Sequence, residues 1–250
     1  MNPKGMVFVA LDGMGKKAAC DLVGKLTNLS NPYAGIIAGF KIHDLWDQEG
    51  PKVLNDLEYA GGGASLWVDL KLLDVPQTVQ LRARAVRYAN AHFLTVHALG
   101  GIEMMKLAVE SGPKIIAITI LTSLAEHEVR NRFRRPMHEV VSELAWEAKQ
   151  AGVWGVVCSA HEVGVLASNP DLKGLKFIVL GIRLAGKDAT DQNQKRVNTP
   201  RAAFESGADY IVVGSELTKA EDPIAVLGKI VEGISEAVVS RAANRKGATQ

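Results

Sequence analysis

The segment Asp69-Leu70-Lys71-Leu72-Leu73-Asp74 gathers two carboxylates and one ammonium group into an otherwise apolar run. Residues two apart on a strand share a face, so Asp69 and Lys71 are expected to point to the same side as neighbours. A buried ion pair that only holds the fold together is a poor explanation for this cluster, because desolvation consumes much of the Coulomb energy that pairing returns. The second carboxylate at Asp74 weakens that explanation further. Two anions around one ammonium keep Lys71 protonated and ready to deliver a proton to a carbanion. That chemistry requires neither a metal nor an organic cofactor.

Such a cluster needs a frame. Short β-branched apolar runs recur at 6–11, 35–41, 65–71, 93–97, 114–121, 153–159, 176–182 and 209–214, with helical patterns between them. Most are continuous rather than alternating, as expected of parallel strands buried on both faces. The segment 139–151 carries Val140, Val141, Leu144, Ala145 and Ala148 on one helical face, and 223–239 does the same with Val226, Leu227, Ile230, Val231 and Ile234. Eight such strand–helix units are what a closed (β/α)8 TIM barrel requires, whereas a doubly wound sheet stops at about five to seven strands. Gly61-Gly62-Gly63 suits a tight turn between a helix and the third strand, and no linker composition divides the chain. Residues 1–241 are therefore expected to form a single α/β barrel domain. The polar, aperiodic residues 242–250 read as a flexible tail.

In this fold the C-terminal ends of the strands face the active site, so polar residues that end apolar runs are informative. They are Asp12, Lys41, Asp69 with Lys71 and Asp74, His97, Thr122-Ser123, Ser159, Arg183, and Gly214-Ser215. Any one of them alone is best read as a solvated strand end, and His97 as a hydrogen-bonded core residue. Together they outline a site. The longest irregular stretch, 184–198, follows the seventh strand, where barrels commonly bind phosphate.

In this order the residues resemble the orotidine 5'-phosphate decarboxylase family along roughly 7–223. Ala10-Leu11-Asp12 and Phe40-Lys41-Ile42 are similar to its first two strands. Asp69-Leu70-Lys71-Leu72-Leu73-Asp74-Val75-Pro76-Gln77-Thr78-Val79 is similar to its signature D-x-K-x-x-D-[IV]-P-x-T-V, a highly specific motif. Val96-His97-Ala98, Leu121-Thr122-Ser123, Gly181-Ile182-Arg183, Asp191-Gln192, Thr199-Pro200 and 207–214 follow in the family's order. The resemblance implies decarboxylation of a small nucleotide, orotidine 5'-phosphate, to UMP in pyrimidine biosynthesis without a cofactor. It implies a tetrad of Lys41, Asp69, Lys71 and Asp74, with Lys71 as the general acid. It also implies a homodimer in which Asp74 and Thr78 reach the partner's site. Asp12 and Lys41 would hold ribose hydroxyls, Thr122 or Ser123 the pyrimidine amide, and Arg183 and Gln192 the phosphate.

The pattern departs at Gly214-Ser215, where the family has Gly-Arg at its phosphate site, and at Leu184, where it has proline after Gly-Ile-Arg. Loss of a charge-assisted arginine contact would weaken phosphate binding by about 2–4 kcal/mol. Lys187, Lys195 and Arg196 in the preceding stretch are candidates to compensate. A catalytically impaired nucleotide-binding barrel is the reading that Ser215 prompts. The other alternative is a sugar-phosphate decarboxylase or synthase of the same superfamily, relatives that use D-x-K-x-x-D with magnesium. Lys41 argues against it, because those relatives typically carry an acid at that position.

Composition excludes other classes. Lys and Arg number 29 against 27 Asp and Glu, a net charge of +2, so nothing draws the chain to nucleic acid or an anionic membrane. The run Arg130-Asn131-Arg132-Phe133-Arg134-Arg135 reads as a solvated helix or loop rather than a nucleic-acid patch. Two cysteines, Cys20 and Cys158, lie outside any CxxC pattern and fit a reducing, cytoplasmic setting. The histidines show no HExxH or close ligand pair, so no metal site is expected. Gly13-Met14-Gly15-Lys16 lacks the spacing of a phosphate loop.

Overall fold

The structure, a computed structural model, describes residues 3–184 and 199–247. Eight parallel strands, β1 (Val7–Ala10), β2 (Ile37–Ile42), β3 (Leu66–Leu72), β4 (Phe93–His97), β5 (Lys114–Ile118), β6 (Gly155–Cys158), β7 (Lys176–Val179) and β8 (Tyr210–Val213), close in chain order, with β8 pairing back onto β1. This is the (β/α)8 barrel that the periodicity predicts. Each predicted run overlaps one strand. The largest shortfalls lie at the C-terminal ends of β5 and β7, where the chain leaves the ladder for the loops above the barrel.

Around the strands run α1 (Lys16–Thr27), α2 (Asp44–Glu49), α3 (Val53–Ala60), α4 (Pro76–Tyr88), α5 (Gly101–Val109), α6 (Glu126–Phe133), α7 (Met137–Gln150), α8 (Val163–Ser168), α9 (Pro200–Glu205), α10 (Ser215–Thr218) and α11 (Pro223–Gly247). The apolar stripe expected at 139–151 is the buried face of α7. Helix α11 starts where its pattern begins and continues past Arg241, so its backbone is helical into the segment read as a tail. The arginine-rich run lies at the end of α6 and beyond it. There Arg130 pairs with Glu126, and Arg135 with Glu139 and Glu143, as in an ordinary solvated surface.

Alternation along the strands divides the core in two. Val7, Val9, Val68, Leu94 and Val96 point outward into the helical layer, whereas Phe8, Trp67, Phe93, Ile116 and Ile178 point into the barrel. The interior is filled by an aromatic cluster. Phe8 meets Trp67 and Phe93 edge-on at ring-centroid distances of 5.2 and 5.3 Å, and Trp154 contacts Phe93 at 5.0 Å and Tyr210 at 5.2 Å. The Lys114 ammonium stands 5.5 Å from the Phe93 ring centre at the N-terminal end of β5. Above this cluster the Trp67 indole N–H donates to the Thr95 hydroxyl at 2.7 Å. Two residues further along the same inward rows come Asp69 and His97, so the aromatic packing supports the floor of the charged layer. Gly39 is required for closure. A Cβ there would stand 2.4 Å from the Ser65 carbonyl oxygen, too close for β2 and β3 to pair.

Candidate active site

The end of β3 is not a regular strand. Between Val68 and Leu72 the chain advances four residues while its partner β4 advances two, from Leu94 to Val96. Lys71 takes up this bulge with a left-handed backbone, φ 50°. A non-glycine residue in that region is strained by about 1–3 kcal/mol, and such strain clusters where geometry serves function. Asp69 and Lys71 do face each other as the spacing predicts, but it is the bulge rather than plain two-residue periodicity that aims the ammonium. The Lys71 Nζ lies 2.8 Å from Asp69 Oδ2. The backbone carbonyl of Asp69 accepts from His43 Nδ1 at 3.0 Å, which anchors the bulge to the residue after β2.

Lys41, from β2, approaches the same carboxylate oxygen at 2.9 Å and also reaches Asp12 Oδ2, just past β1, at 2.6 Å. Four side chains therefore form an alternating row, Asp12–Lys41–Asp69–Lys71, across three adjacent strand ends. The two inner members are nearly sealed, with side-chain exposures of 6% for Lys41 and 9% for Asp69, while Lys71 at 35% opens to the cavity. Burial disfavours both inner charges, yet the carboxylates of Asp69 and Asp12 hold the Lys41 ammonium above its usual value. Burial likewise opposes the Asp69 charge, and Lys41 and Lys71 together still hold its carboxyl below the usual range. Both stay ionised at neutral pH.

Within one chain this differs from the arrangement expected from the sequence. Lys71 meets one carboxylate, that of Asp69, and the ammonium held between two carboxylates is Lys41, between Asp12 and Asp69. Asp74 lies outside the row, exposed, and its Oδ1 accepts from the Val75 N–H at 2.7 Å. The physical reason is local: β3 ends at Leu72, and the turn into α4 carries Asp74 away from its own Lys71.

A cavity of about 380 Å³ opens at this end of the barrel, and Asp12, Lys41, Asp69, Lys71, Arg183, Gly214 and Ser215 all line it. The strand-end residues of β1, β2, β3, β7 and β8 named from sequence thus converge. Thr122, exposed in the turn after β5, and Thr78, in the first turn of α4, are not part of its lining. Gln192, with Lys187, Lys195 and Arg196, lies outside the described residues. His97 is inside the barrel, but its Nδ1 is buried without a hydrogen-bond partner among the described residues, contrary to the satisfied core histidine expected from sequence. Burial, aided by the nearby Lys71 ammonium, pulls its imidazole below the usual value.

Sequence reasoning missed the apolar half of the cavity, Trp67, Ile118, Val157 and Val212. The signal was available for Trp67, which precedes Asp69 by two and so shares its inward face. It also missed Glu216, whose Oε1 stands 3.8 Å from Arg183 Nε, because acid and base come from different strand ends.

Among the described residues no three His, Cys, Asp or Glu side chains are grouped to hold a metal ion. The position between the carboxylates of Asp12 and Asp69, where a divalent cation would have to sit, is filled by the Lys41 ammonium. The row does not suit a magnesium ion.

The family model described as "Orotidine 5'-phosphate decarboxylase / HUMPS family" matches residues 5–230. The chain is 36% identical to the orotidine 5'-phosphate decarboxylase of Shewanella sediminis, over 94% of this chain and 99% of that protein. It is 43% identical to the enzyme of that name from Streptococcus pneumoniae (strain ATCC 700669 / Spain 23F-1), over 73% and 78% of the two chains. The crystal structure of orotidine 5'-phosphate decarboxylase from Lactobacillus acidophilus superposes with a TM-score of 0.71 at 32% identity, covering 93% of this chain and 99% of that one. With the signature segment bent into the bulge that presents Lys71 to the cavity, the chain belongs to the orotidine 5'-phosphate decarboxylase / HUMPS family.

Proposed function

We propose that the protein decarboxylates orotidine 5'-phosphate to UMP, the step that supplies pyrimidine nucleotides, with Lys71 as general acid. The observation that carries this reading is the alternating row Asp12–Lys41–Asp69–Lys71 at the cavity wall. When the bond between the pyrimidine ring and its carboxylate breaks, the electron pair stays on the ring carbon and carbon dioxide leaves. The Lys71 ammonium, held 2.8 Å from Asp69, stabilises that pair and transfers a proton to the carbon. The neutral amine then regains a proton from solvent. Asp69 faces the substrate carboxylate as a like charge, and that repulsion is relieved as carbon dioxide departs.

Asp12 and Lys41 are assigned the ribose hydroxyls, and Thr122 the pyrimidine amide. Arg183, Gln192, Gly214 and Ser215 are assigned the phosphate. Binding energy collected at the phosphate, remote from the reacting carbon, holds the base against Lys71. The ammonium of Lys41 between two carboxylates favours this chemistry over the magnesium-dependent sugar-phosphate reactions of the superfamily. Turnover of orotidine 5'-phosphate by the purified protein, followed by ultraviolet absorbance with and without EDTA, tests the reading. Turnover should proceed and should not change with chelator; absence of turnover would leave only a nucleotide-binding barrel, and loss with EDTA would indicate metal chemistry.

The active unit is proposed to be a homodimer in which Asp74 and Thr78 of the partner subunit complete each site. Support comes from the flanks of Asp74, where Leu73 and Val75 are 54% and 59% exposed, an apolar edge suited to burial in an interface. Mixing Lys71→Ala with Asp74→Ala chains creates hybrid dimers with one intact site, and random exchange should restore about a quarter of wild-type activity. No recovery would refute the shared site. A cytoplasmic setting is proposed on the free thiols of Cys20 and Cys158 and on the pathway. No described helix is long and apolar enough to cross a membrane.

A further inference from the structure

At the β7–β8 side of the cavity Arg183 is the cationic lining residue among the described residues. Lys41 and Lys71 are already committed to Asp69, so among the described residues Arg183 is the group best placed to meet an incoming phosphate. It is not idle in the structure. Its Nε stands 3.8 Å from Glu216 Oε1, and its Nη1 donates to the Ile182 carbonyl at 3.3 Å. Glu216 is the less exposed partner, 18% against 54% for Arg183, so the carboxylate is the stationary member and the guanidinium the adjustable one. Glu216 directly follows Ser215, whose side chain brings no positive charge to the cavity edge.

We propose that Glu216 is a specificity-determining counter-anion for the phosphate end of the substrate. It holds Arg183 in the empty site, and the phosphate must take the guanidinium from it. The inference rests on reading the cavity as a nucleotide 5'-phosphate site. Two negative groups then compete for one guanidinium, and the carboxylate also repels a phosphate bound to that guanidinium. Net affinity for the phosphate is set below what Arg183 alone would give. An acid in the first turn of a helix has a simpler role as a partner to the backbone dipole, so the test must show that Glu216 acts through Arg183.

Wild type, Glu216→Gln, Arg183→Ala and the double variant are titrated calorimetrically with inorganic phosphate, UMP and uridine, and their kcat and KM are measured. Glu216→Gln should bind phosphate and UMP about three- to tenfold more tightly and lower KM by the same factor, with kcat within about twofold. Uridine affinity should not move. In the Arg183→Ala background the gain should vanish. Unchanged or weaker phosphate binding by Glu216→Gln, or the same gain without Arg183, overturns the proposal. The phosphate titration reads this pair without turnover, whereas lack of activity in the wild type would count against the functional reading itself.

Discussion

The two sides of the cavity are built on opposite principles. On the β1–β3 side, four charges alternate in contact, the inner two are sealed from water, and one backbone residue is strained to aim the outermost ammonium. On the β7–β8 side, one largely exposed arginine faces a glutamate at 3.8 Å, beside Gly181, Gly214 and Ser215. The first arrangement is preorganised: its charges are fixed by one another, as the proposed stabilisation of a developing carbanion requires. The second is loose, as suits groups that bind a remote handle and then release it. Rigidity is concentrated where the proposed reaction develops charge.

Lys71→Ala should expose the contrast most strongly. It removes the proposed general acid, and kcat should fall by about 10³-fold or more. Asp69 keeps its contact with Lys41, so the thermal midpoint should stay near that of the wild type. A variant retaining activity within tenfold would remove Lys71 from the chemistry.

Asp69→Ala comes next and acts on stability as well as turnover. It leaves the buried Lys41 ammonium with Asp12 alone, a loss of about 3–5 kcal/mol in denaturant unfolding, whereas Arg183→Ala should stay within about 0.5 kcal/mol. Equal losses on the two sides would erase the distinction. The same pair predicts a pH signature. The Asp69 pKa is lowered by folding, so its contribution is complete above the unfolded value near 3.9 and disappears as pH falls through the lower folded value. The Lys41 pKa is raised, so its contribution is complete below about 10.4 and disappears as pH climbs through the higher folded value. Stability from this row is therefore flat across the neutral range, with the acid limb missing in Asp69→Ala.

A smaller, opposite effect is expected across the cavity. Ser215→Arg supplies a second guanidinium at the proposed phosphate end and should lower KM about tenfold while leaving kcat nearly unchanged. If KM does not respond, residue 215 does not face the phosphate and the loose side has been misassigned.

The barrel was legible because a parallel strand covered on both faces has to be continuously apolar, and eight such runs leave few architectures. The row was legible in part. Asp12, Lys41, Asp69 and Lys71 each end an apolar run, and strand ends converge in this fold. Their connectivity was not legible, because which carboxylate meets which ammonium depends on a bulge that adds residues to β3 against β4. Nothing in Leu70-Lys71-Leu72 announces a left-handed lysine; no glycine, asparagine or aspartate marks it. Asp74 shows the converse failure. It reads as a second anion beside Lys71, but it lies past Leu72, where the two-residue period no longer places a side chain, and within its own chain it turns to the Val75 N–H. The Arg183–Glu216 contact was invisible for a different reason, since it joins residues from two strand ends with no local pattern between them.

The subtlest difference between the two sides is in the backbone. Lys71 and Gly181 both adopt positive φ, 50° and 71°, but only the lysine carries a Cβ that resists it. Comparing Lys71→Gly with Lys71→Ala isolates this strain, because both lack the ammonium and differ only in the tolerance of the backbone. Glycine should be the more stable of the two by about 1 kcal/mol, despite its greater freedom in the unfolded chain. In a protein of this size that corresponds to about 2–4 °C in the thermal midpoint. If the alanine variant melts at the same temperature or higher, the bulge at β3 is relaxed. The aim of Lys71 would then come from its contact with Asp69 alone.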